Sequence, residues 1–363
     1  MSRLRKLAAL TVPALLVTAA GLEIVFRTVI PAQELPQRRW DHGVLRWSDE
    51  PDSTGIWSAG LLAQARARWH INDDGWNSLI DYAAADTSGQ PLVAVIGDSF
   101  VEGFHVPTTR NFAAVMDSLT PGVRVYPFGH QGAPLSQYLQ MIRYVENLHE
   151  PDALVISLWH NDFEESLRSL ASRPYFLQIE RTDDSFRELE VLPYESWFLS
   201  PILRRSATAR YLYINAGVGA FLGALRRAHH ADTSEPGGDE SGVQRHRLLT
   251  DATTWLIRRI LEENADLPIL FVLDAPRPAM YDGRLNADDT WDHRMIRTIC
   301  EDLGCEFLDL TPIFMRLYSE NGLRFETPYD FHWNGYGHGV VAGAVLTRLT
   351  EMGVLPGGRL MTR

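Results

Sequence analysis

The sequence is poor in cysteine and has no long basic run, and each lack excludes a class of protein. With two cysteines among 363 residues, the chain can hold neither a disulfide framework nor a four-cysteine zinc site. Acidic residues outnumber basic ones by 46 to 34, which gives a formal net charge of -12. A chain this acidic has no general attraction to nucleic acid, so we expect no nucleic acid among its partners.

Motifs for nucleotide and metal binding are also missing. Neither a Walker loop nor Gly-x-Gly-x-x-Gly follows an apolar run, and His-Glu-x-x-His does not occur. We therefore expect no cofactor and no metal. A metal hydrolase is a less favoured alternative, and its ligands would be Asp98, His130, His160, Asp162 and His332.

Residues 1–30 differ in pattern from the rest of the chain. Three basic residues among the first six precede an apolar stretch from Leu7 to Phe26, in which Glu23 is the one charged residue. As a helix this stretch is about 30 Å long, enough to cross a bilayer. The basic flank favours a cytoplasmic amino end, so the folded part is expected in the periplasm or at the cell surface. We predict an uncleaved anchor, with a signal peptide cleaved near Ala20 as the alternative.

Between residues 90 and 351, short apolar runs alternate with longer helical patterns. Each run is apolar on both faces, as in strands that helices cover on two sides. The predicted strands are 92–96, 123–126, 153–158, 269–273 and 306–310, and the predicted helices are 111–119, 136–148, 248–264, 289–303 and 334–351. The alternation predicts a parallel sheet in a three-layer α/β/α sandwich.

The remaining segments break this alternation. Residues 31–89 lack clear periodicity and predict an irregular lead-in, and residues 352–363 form a short tail. Residues 163–247 read as an insertion with a helix over 204–227 and a mobile polar loop over 231–242. We expect the insertion to cap the carboxyl edge of the sheet, where ligands of such folds bind, or else to extend the core. Cys300 and Cys305 could pair outside the cytoplasm, or stay free and buried.

A serine follows the first predicted strand directly, in Gly97-Asp98-Ser99-Phe100. At a strand-to-helix turn, backbone N–H groups and the helix dipole can stabilise developing negative charge. Ser99 is therefore a candidate nucleophile. The alternative is that Ser99 or Asp98 only caps the helix.

A histidine in Asp330-Phe331-His332 precedes the last predicted helix. A hydroxyl needs a base to become a nucleophile, and histidine titrates near neutral pH. Asp330 could hold the imidazole tautomer and stabilise the imidazolium. The alternative for His332 is a structural histidine at a helix start.

Two further loops follow the second and third predicted strands. The first loop ends at Gly132, where glycine lets a backbone N–H approach a ligand closely. The second contains Asn161, whose side-chain amide could donate a hydrogen bond. A tight turn and a helix cap are the alternatives. Because all these residues follow successive strands, they could converge at one edge of the sheet.

In order, Gly97-Asp98-Ser99-Phe100, Gly132, Asn161-Asp162 and Asp330-Phe331-His332 resemble the conserved blocks of the SGNH (GDSL) hydrolases. The resemblance covers residues from about 90 to 350. Residues 70–76 are similar to a lead-in found before the serine block in many membrane-anchored bacterial members. The family implies a flavodoxin-like sheet of five parallel strands in order 2-1-3-4-5, with the site where strands one and three diverge.

Carried over by position, the resemblance implies that Ser99 is the nucleophile, His332 the base and Asp330 the acid. The Gly132 N–H, the Asn161 side chain and the Ser99 N–H would form the oxyanion hole. The chemistry would be acyl transfer through a serine ester that water releases.

The chain departs from the family pattern in three places. The acid-to-histidine spacing is Asp-x-His instead of the commoner Asp-x-x-His, which resembles members that act on exported polysaccharides, including alginate O-acetylation proteins. Trp159 stands where glycine is usual and would narrow the pocket. Pro127 stands where asparagine is common, with no obvious consequence for the chemistry.

The expected function is an extracytoplasmic serine esterase acting on acyl or acetyl groups of a small molecule, a lipid or a glycan. One alternative is a polysaccharide O-acetyltransferase, in which a sugar hydroxyl replaces water as the acyl acceptor. The other is a non-catalytic glycan-binding or assembly protein on the same fold. The presence of every residue that the chemistry needs argues against this second alternative.

Overall fold

The computed structural model describes residues 3–41, 43–47, 53–82, 89–221, 239–285 and 290–355. Its strands are β1 (Arg38–Asp41), β2 (Val44–Trp47), β3 (Ser53–Ala59), β4 (Ala65–Ile71), β5 (Leu92–Gly97), β6 (Arg124–Gly129), β7 (Ala153–Leu158), β8 (Ile179–Arg181), β9 (Phe186–Glu188), β10 (Ile269–Leu273), β11 (Glu306–Asp309), β12 (Glu326–Thr327) and β13 (Asp330–Trp333). Its helices are α1 (Arg3–Thr28), α2 (Ser99–Glu102), α3 (Phe112–Leu119), α4 (Leu135–His149), α5 (Asn161–Glu165), α6 (Ser200–Arg205), α7 (Ala207–Arg210), α8 (Asp239–Glu263), α9 (Arg277–Tyr281), α10 (Trp291–Leu303), α11 (Thr311–Asn321) and α12 (Gly335–Glu351).

The central sheet has five parallel strands in the order β6-β5-β7-β10-β11. Counted along the chain, this is the order 2-1-3-4-5, so the predicted sheet is confirmed. Strand β5 therefore lies between β6 and β7. The turns that follow β6 and β7 flank the turn that carries Ser99, as an open parallel sheet requires at its switch point.

Helices cover both faces of this sheet because its strands are apolar on both sides. Leu92, Ala94 and Ile96 of β5 belong to one buried cluster, together with side chains of α4, α8 and α10. The alternate residues Val93 and Val95 belong to a second cluster with α3, α11 and α12. The two clusters make the predicted three-layer sandwich.

Three predicted features differ from the structure, and the structure has a helix that the sequence did not predict. The lead-in is not irregular, since β1 pairs with β2 and β3 with β4 in antiparallel hairpins. As far as residue 221, where this described range ends, the helix predicted over 204–227 is interrupted. Ser206 separates α6 from α7, and a π-turn over Tyr211–Asn215 follows. Helix α11 was not predicted. Residues 231–238 of the predicted polar loop lie outside the described part of the chain. Its last residues, 239–242, are helical and belong to α8.

The insertion has two parts with different contacts. Residues 163–191 pack on the face of α4 and α8, where Leu167, Leu177 and Ile179 join the core. Residues 163–191 therefore extend the core, which is the second of the two arrangements expected for the insertion. Residues 197–221 instead contact α1 and the β3–β4 hairpin. Of the tail, residues 356–363 lie outside the described part of the chain.

The two cysteines are free thiols in the structure. Cys300 is buried and Cys305 is half-buried. Of the two states left open by the sequence, the structure has the unpaired one.

Candidate active site

Ser99 is the first residue of α2, immediately beyond the carboxyl end of β5. Asp98 precedes it as the helix cap, and its Oδ1 accepts a hydrogen bond from the Phe100 N–H at 2.9 Å. Gly103 ends this four-residue helix at a φ of +65°, a left-handed conformation that glycine adopts without strain. The turn leaves Ser99 half-buried while its neighbours Asp98 and Phe100 are buried.

His332 connects Ser99 to Asp330. Its Nε2 lies 2.7 Å from Ser99 Oγ, and its Nδ1 is hydrogen-bonded to Asp330 Oδ1. Asp330 and His332 are two residues apart on β13, and such residues share one face of a strand. The Asp-x-His spacing is therefore sufficient to bring the carboxylate to the ring. The structure brings these three predicted residues together.

The charge and hydrogen bond of His332 act on Asp330. Burial by itself raises the pKa of this carboxyl, but the bond and charge from His332 outweigh it and hold the pKa below its ordinary value. Asp330 is therefore ionised at neutral pH, as a partner for an imidazolium must be.

A second histidine, absent from the predicted site, stacks on His332. The His105 ring centroid lies 3.5 Å from that of His332 at an interplanar angle of 7°, and the edge of Trp57 contacts the stack. Burial and the charge of His332 lower the pKa of His105 well below its ordinary value. Its buried Nδ1 has no hydrogen-bond partner among the described residues.

The five residues of the metal alternative do not form a ligand cluster in the described part of the chain. The one cluster with metal-ligand spacing there is a different set, His105, Asp330 and His332, whose ligand atoms lie within 4.8 Å of one another. Both ring nitrogens of His332 are already engaged, by Ser99 and Asp330. The arrangement therefore favours proton transfer over metal ligation.

Gly132 and Asn161 lie on the two turns that flank Ser99. Gly132 has a φ of +73°, and a Cβ added there would meet nothing within 4 Å, so its backbone borders open space. Asn161 is the first residue of α5, directly after the turn that ends β7. Its side chain forms no hydrogen bond to any described residue, which leaves the amide available to a ligand.

Asp162, the residue after Asn161, stabilises the turn by accepting two hydrogen bonds. Its buried Oδ2 accepts hydrogen bonds from Tyr138 Oη at 2.9 Å and from the Trp159 N–H at 2.8 Å. Burial, together with the charge of Asp98, raises the pKa of Asp162 well above its ordinary value. Burial also raises the pKa of Asp98, to about 6. Asp162 thus holds the turn that presents Asn161.

Glu102 holds the turn on the other side. Its Oε1 accepts hydrogen bonds from Trp47 Nε1 at 2.7 Å and from the Gln131 N–H at 3.3 Å. The Trp47 ring also stacks on His130 with centroids 4.7 Å apart. Burial raises the pKa of Glu102 to about 8, so the carboxyl is largely neutral at pH 7. The β1–β2 hairpin thus fixes the segment that leads into Gly132.

A cavity of about 1170 Å³ adjoins the site on the side of Asp330 and Phe331. Aromatic and charged side chains line it together: Trp159, Trp291, Tyr329 and Phe331 with Glu164, Arg277, Asp292 and Arg324. Trp159 and Phe331 stack with centroids 6.1 Å apart, and Phe331 lies 4.2 Å from the His332 ring. Both ends of the insertion reach this cavity, at Glu164 and His246.

No family model and no curated protein matches the chain. Its fold is similar to that of solved structures that include a member of the lipolytic protein G-D-S-L family from Veillonella parvula, with 12% identity and a TM-score of 0.39 over 71% of this chain and 98% of that one. An acetyl xylan esterase is 14% identical, with a TM-score of 0.39 over 71% and 99% of the two chains. The hydrolase LAE5, from the metagenome of Lake Arreo in Spain, is 15% identical, with a TM-score of 0.40 over 76% and 99%. These likenesses are too distant to bear on chemistry, which has to be argued from the residues of this chain.

Proposed function

We propose that the protein is a serine esterase whose catalytic residues are Ser99, His332 and Asp330. The observation that supports this most directly is the 2.7 Å contact between Ser99 Oγ and His332 Nε2, with Asp330 bonded to the other ring nitrogen. Nucleophile, base and orienting acid are thus in hydrogen-bond reach in the order that acyl transfer needs. The half-buried position of Ser99 leaves its hydroxyl open to an ester.

The reaction follows from these contacts. Ser99 Oγ attacks the ester carbonyl carbon while His332 Nε2 takes the hydroxyl proton, and Asp330 stabilises the imidazolium. The Ser99 N–H, the Gly132 N–H and the Asn161 amide would stabilise the oxyanion. The alcohol leaves with the proton from His332. Water then attacks the acyl-enzyme and gives a proton to His332. His332 returns that proton to Ser99 Oγ as the acyl bond breaks, which releases the carboxylic acid and regenerates the Ser99 hydroxyl.

For the substrate we infer an acylated or acetylated glycan. The adjoining cavity is large and combines aromatic rings with charged side chains, the pattern that suits stacking and hydrogen bonding of sugars. Tyr329 and Phe331 are 49% and 57% exposed at its rim, next to Asp330. A lipid ester would bring its acyl chains against a lining that includes the charged side chains of Glu164 and Arg324.

We infer that α1 anchors this domain to a membrane, with the domain outside the cytoplasm. Residues Leu10–Thr28 have a mean hydropathy of 1.6 and none of this stretch is buried. Leu10 and Val17 are 77% and 73% exposed, an arrangement that is costly in water and favourable in lipid. A signal sequence has the same composition and is the alternative.

A polysaccharide O-acetyltransferase is the second candidate, because it shares the acyl-enzyme and differs only in the acceptor. The Asp-x-His spacing on β13 and a cavity lined by aromatic and charged side chains suit the transferase as well as they suit the esterase. Acceptor choice depends on how well the closed site excludes water.

Labelling of the full chain in detergent with a fluorophosphonate probe tests the proposal. Mass spectrometry should find the label on Ser99, and the same sample should hydrolyse p-nitrophenyl acetate. Ser99→Ala should abolish both, whereas Ser118→Ala, which changes an exposed serine of α3, should affect neither. Labelling with turnover only when an oligosaccharide acceptor is added would favour the transferase. A folded chain that is never labelled would favour a non-catalytic role.

A further inference from the structure

Helix α1 is bonded to the folded domain and does not leave it as a free tail. The Glu23 carboxylate accepts hydrogen bonds from Ser206 Oγ at 2.9 Å, the Ala207 N–H at 2.8 Å and the Thr208 N–H at 3.1 Å. These groups open α7, so a charged residue of α1 caps a helix of the insertion. Arg27 adds a hydrogen bond to the Arg205 carbonyl.

A second set of contacts joins the end of α1 to the β3–β4 hairpin. The Phe26 ring stacks on Tyr211 with centroids 3.9 Å apart, and Tyr211 Oη donates to the Leu61 carbonyl at 2.8 Å. The Arg66 guanidinium donates to the carbonyls of Val29 and Leu62 at 3.3 and 3.4 Å. The end of α1, the hairpin loop and the α6–α7 segment are therefore one connected unit.

Each segment of this unit carries exposed apolar side chains. We call them the collar, which consists of Val25, Val29, Leu61, Leu62, Ile202 and Leu212. Their exposed fractions run from 36% to 63%. Single exposed leucines are ordinary, but a group placed around one apolar helix marks a surface that is covered by something apolar.

The length of α1 indicates what covers the collar. Its 26 residues span about 39 Å, more than the roughly 30 Å of a bilayer's hydrocarbon core. Glu23 lies five residues before the end of the helix at Thr28, or about 7.5 Å along its axis. The candidate span runs from Leu10 to Thr28. The groups that Glu23 binds therefore lie about 7.5 Å inside its outer end, at the depth where amphipathic segments lie in a membrane interface.

We propose that the collar is immersed in the headgroup–acyl boundary of the bilayer that α1 crosses, and that it fixes the domain on the membrane surface. The inference depends on the anchoring role proposed for α1 but not on the esterase activity. The exposed side chain of Arg205 is placed to meet lipid phosphates, whereas the Arg27 guanidinium is paired with Glu23.

The collar also adjoins the candidate active site. The Tyr329 ring lies against Gly60, where an added Cβ would come within 3.3 Å of the ring. Gly60 precedes Leu61 of the collar, and Tyr329 precedes Asp330. The rim of the site is thus held close to the lipid surface, which suits a glycan that is presented there.

Photo-crosslinking in vesicles tests this inference. The full chain is reconstituted in phosphatidylcholine and phosphatidylglycerol that include a phosphatidylcholine with a diazirine near the head-group end of one acyl chain. After irradiation and digestion, lipid adducts are expected on α1, on the peptide with Leu61 and Leu62, and on the peptide with Leu212. Leu148 is the control, because it is 42% exposed at the opposite end of the sheet, where α4 leads into β7. It should carry no adduct.

In a variant with Leu61→Asp and Leu62→Asp, the yield of lipid adducts on the collar peptides should fall by about tenfold or more, because charge is expelled from the acyl region. The yield on α1 should stay the same. Leu148→Asp is its matched control and should change nothing. Adducts on α1 alone in the native chain would overturn the collar and leave the anchor intact. A native chain without adducts on α1 would overturn the anchor, while fluorophosphonate labelling of Ser99 in the same vesicles reports the esterase separately.

Discussion

At the scale of single residues, His332 has both ring nitrogens engaged, by Ser99 and by Asp330. Asp330→Asn should therefore keep the geometry but favour the wrong tautomer, with kcat lower by about 10⁴-fold. Steady-state ester hydrolysis measures the loss. Asp302→Asn changes an exposed carboxylate of α10 and should leave kcat unaltered. A comparable loss in both variants would contradict a specific role for Asp330.

Asn161 is predicted to donate to the oxyanion, because its amide has no partner among the described side chains and backbone groups. Asn161→Ala should lower kcat by about 10²–10³-fold, the usual effect of removing one such donor. Folding should be unchanged by circular dichroism. An effect confined to KM would assign Asn161 to substrate binding instead.

His105 should make the protein less stable in acid. Its pKa is lowered by burial, so below about pH 6.5 the unfolded chain binds a proton at this position that the folded chain does not. Stability therefore falls as pH falls through this range. His105→Phe retains an aromatic ring against His332 but cannot titrate, so the drop in Tm between pH 7 and 5 should be smaller. Parallel Tm profiles for the two proteins would contradict this account.

Sequence position alone was sufficient to select Ser99, Gly132, Asn161 and His332, because each follows a strand or precedes a helix at the edge where a parallel sheet binds ligands. Their catalytic roles remain predictions. His105 could not be found in this way, since its stack on His332 joins distant parts of the chain and has no characteristic spacing. The contact of Asp330 with His332 was predicted from the sequence, and β13 adds the reason for it, since it places both side chains on one face of a strand.

At the scale of elements, Glu102 of α2 supports the turn before Gly132 in its protonated form. Because its folded pKa of about 8 exceeds the ordinary 4.5, its contribution to stability is complete below pH 4.5 and is lost as pH rises through about 8. Glu102→Gln keeps the Oε1 acceptor without ionising, so Tm should decline less between pH 5 and 9. Glu102→Ala removes the acceptor of Trp47 and Gln131 and should lower both Tm and kcat. Equal pH profiles for wild type and Glu102→Gln would contradict this.

The strands of the central sheet were predictable because a short, continuous apolar run between two helical patterns is typical of a buried parallel strand. The lead-in hairpins were not recognised, although β4 does alternate in polarity. Its apolar residues are Ala65, Ala67, Trp69 and Ile71, and the polar ones between them are Arg66, Arg68 and His70. Two small alanines weaken the hydrophobic signal of this period-two pattern. Helix α11 begins at Thr311, and only Leu310 separates it from the end of β11 at Asp309. The chain therefore has no loop-like segment there that would mark the start of a helix.

At the scale of the whole molecule, the order of the five strands followed from a resemblance in four short motifs, and the arrangement of the other segments did not. The lead-in and the insertion are joined to the rest of the fold by core packing, as of Leu45 and Leu167, and by long-range bonds such as that from Trp47 to Glu102. Such bonds depend on three-dimensional closure and leave no local pattern. For this reason the sequence predicts only an irregular lead-in, although the segment supports the site.

The bond between Trp47 and Glu102 makes the lead-in an intramolecular ligand of the α/β/α sandwich. A chain that begins at residue 90 should bury Glu102 without its indole donor and melt at a lower temperature than one that begins at residue 31. A separate peptide of residues 31–82, added in trans, should then restore part of the lost activity. The added peptide must reach a concentration near the millimolar level, which is what a short covalent tether supplies. The peptide bond to the rest of the chain would thus raise only the local concentration of the lead-in, and its specific binding would come from the interface with the sandwich.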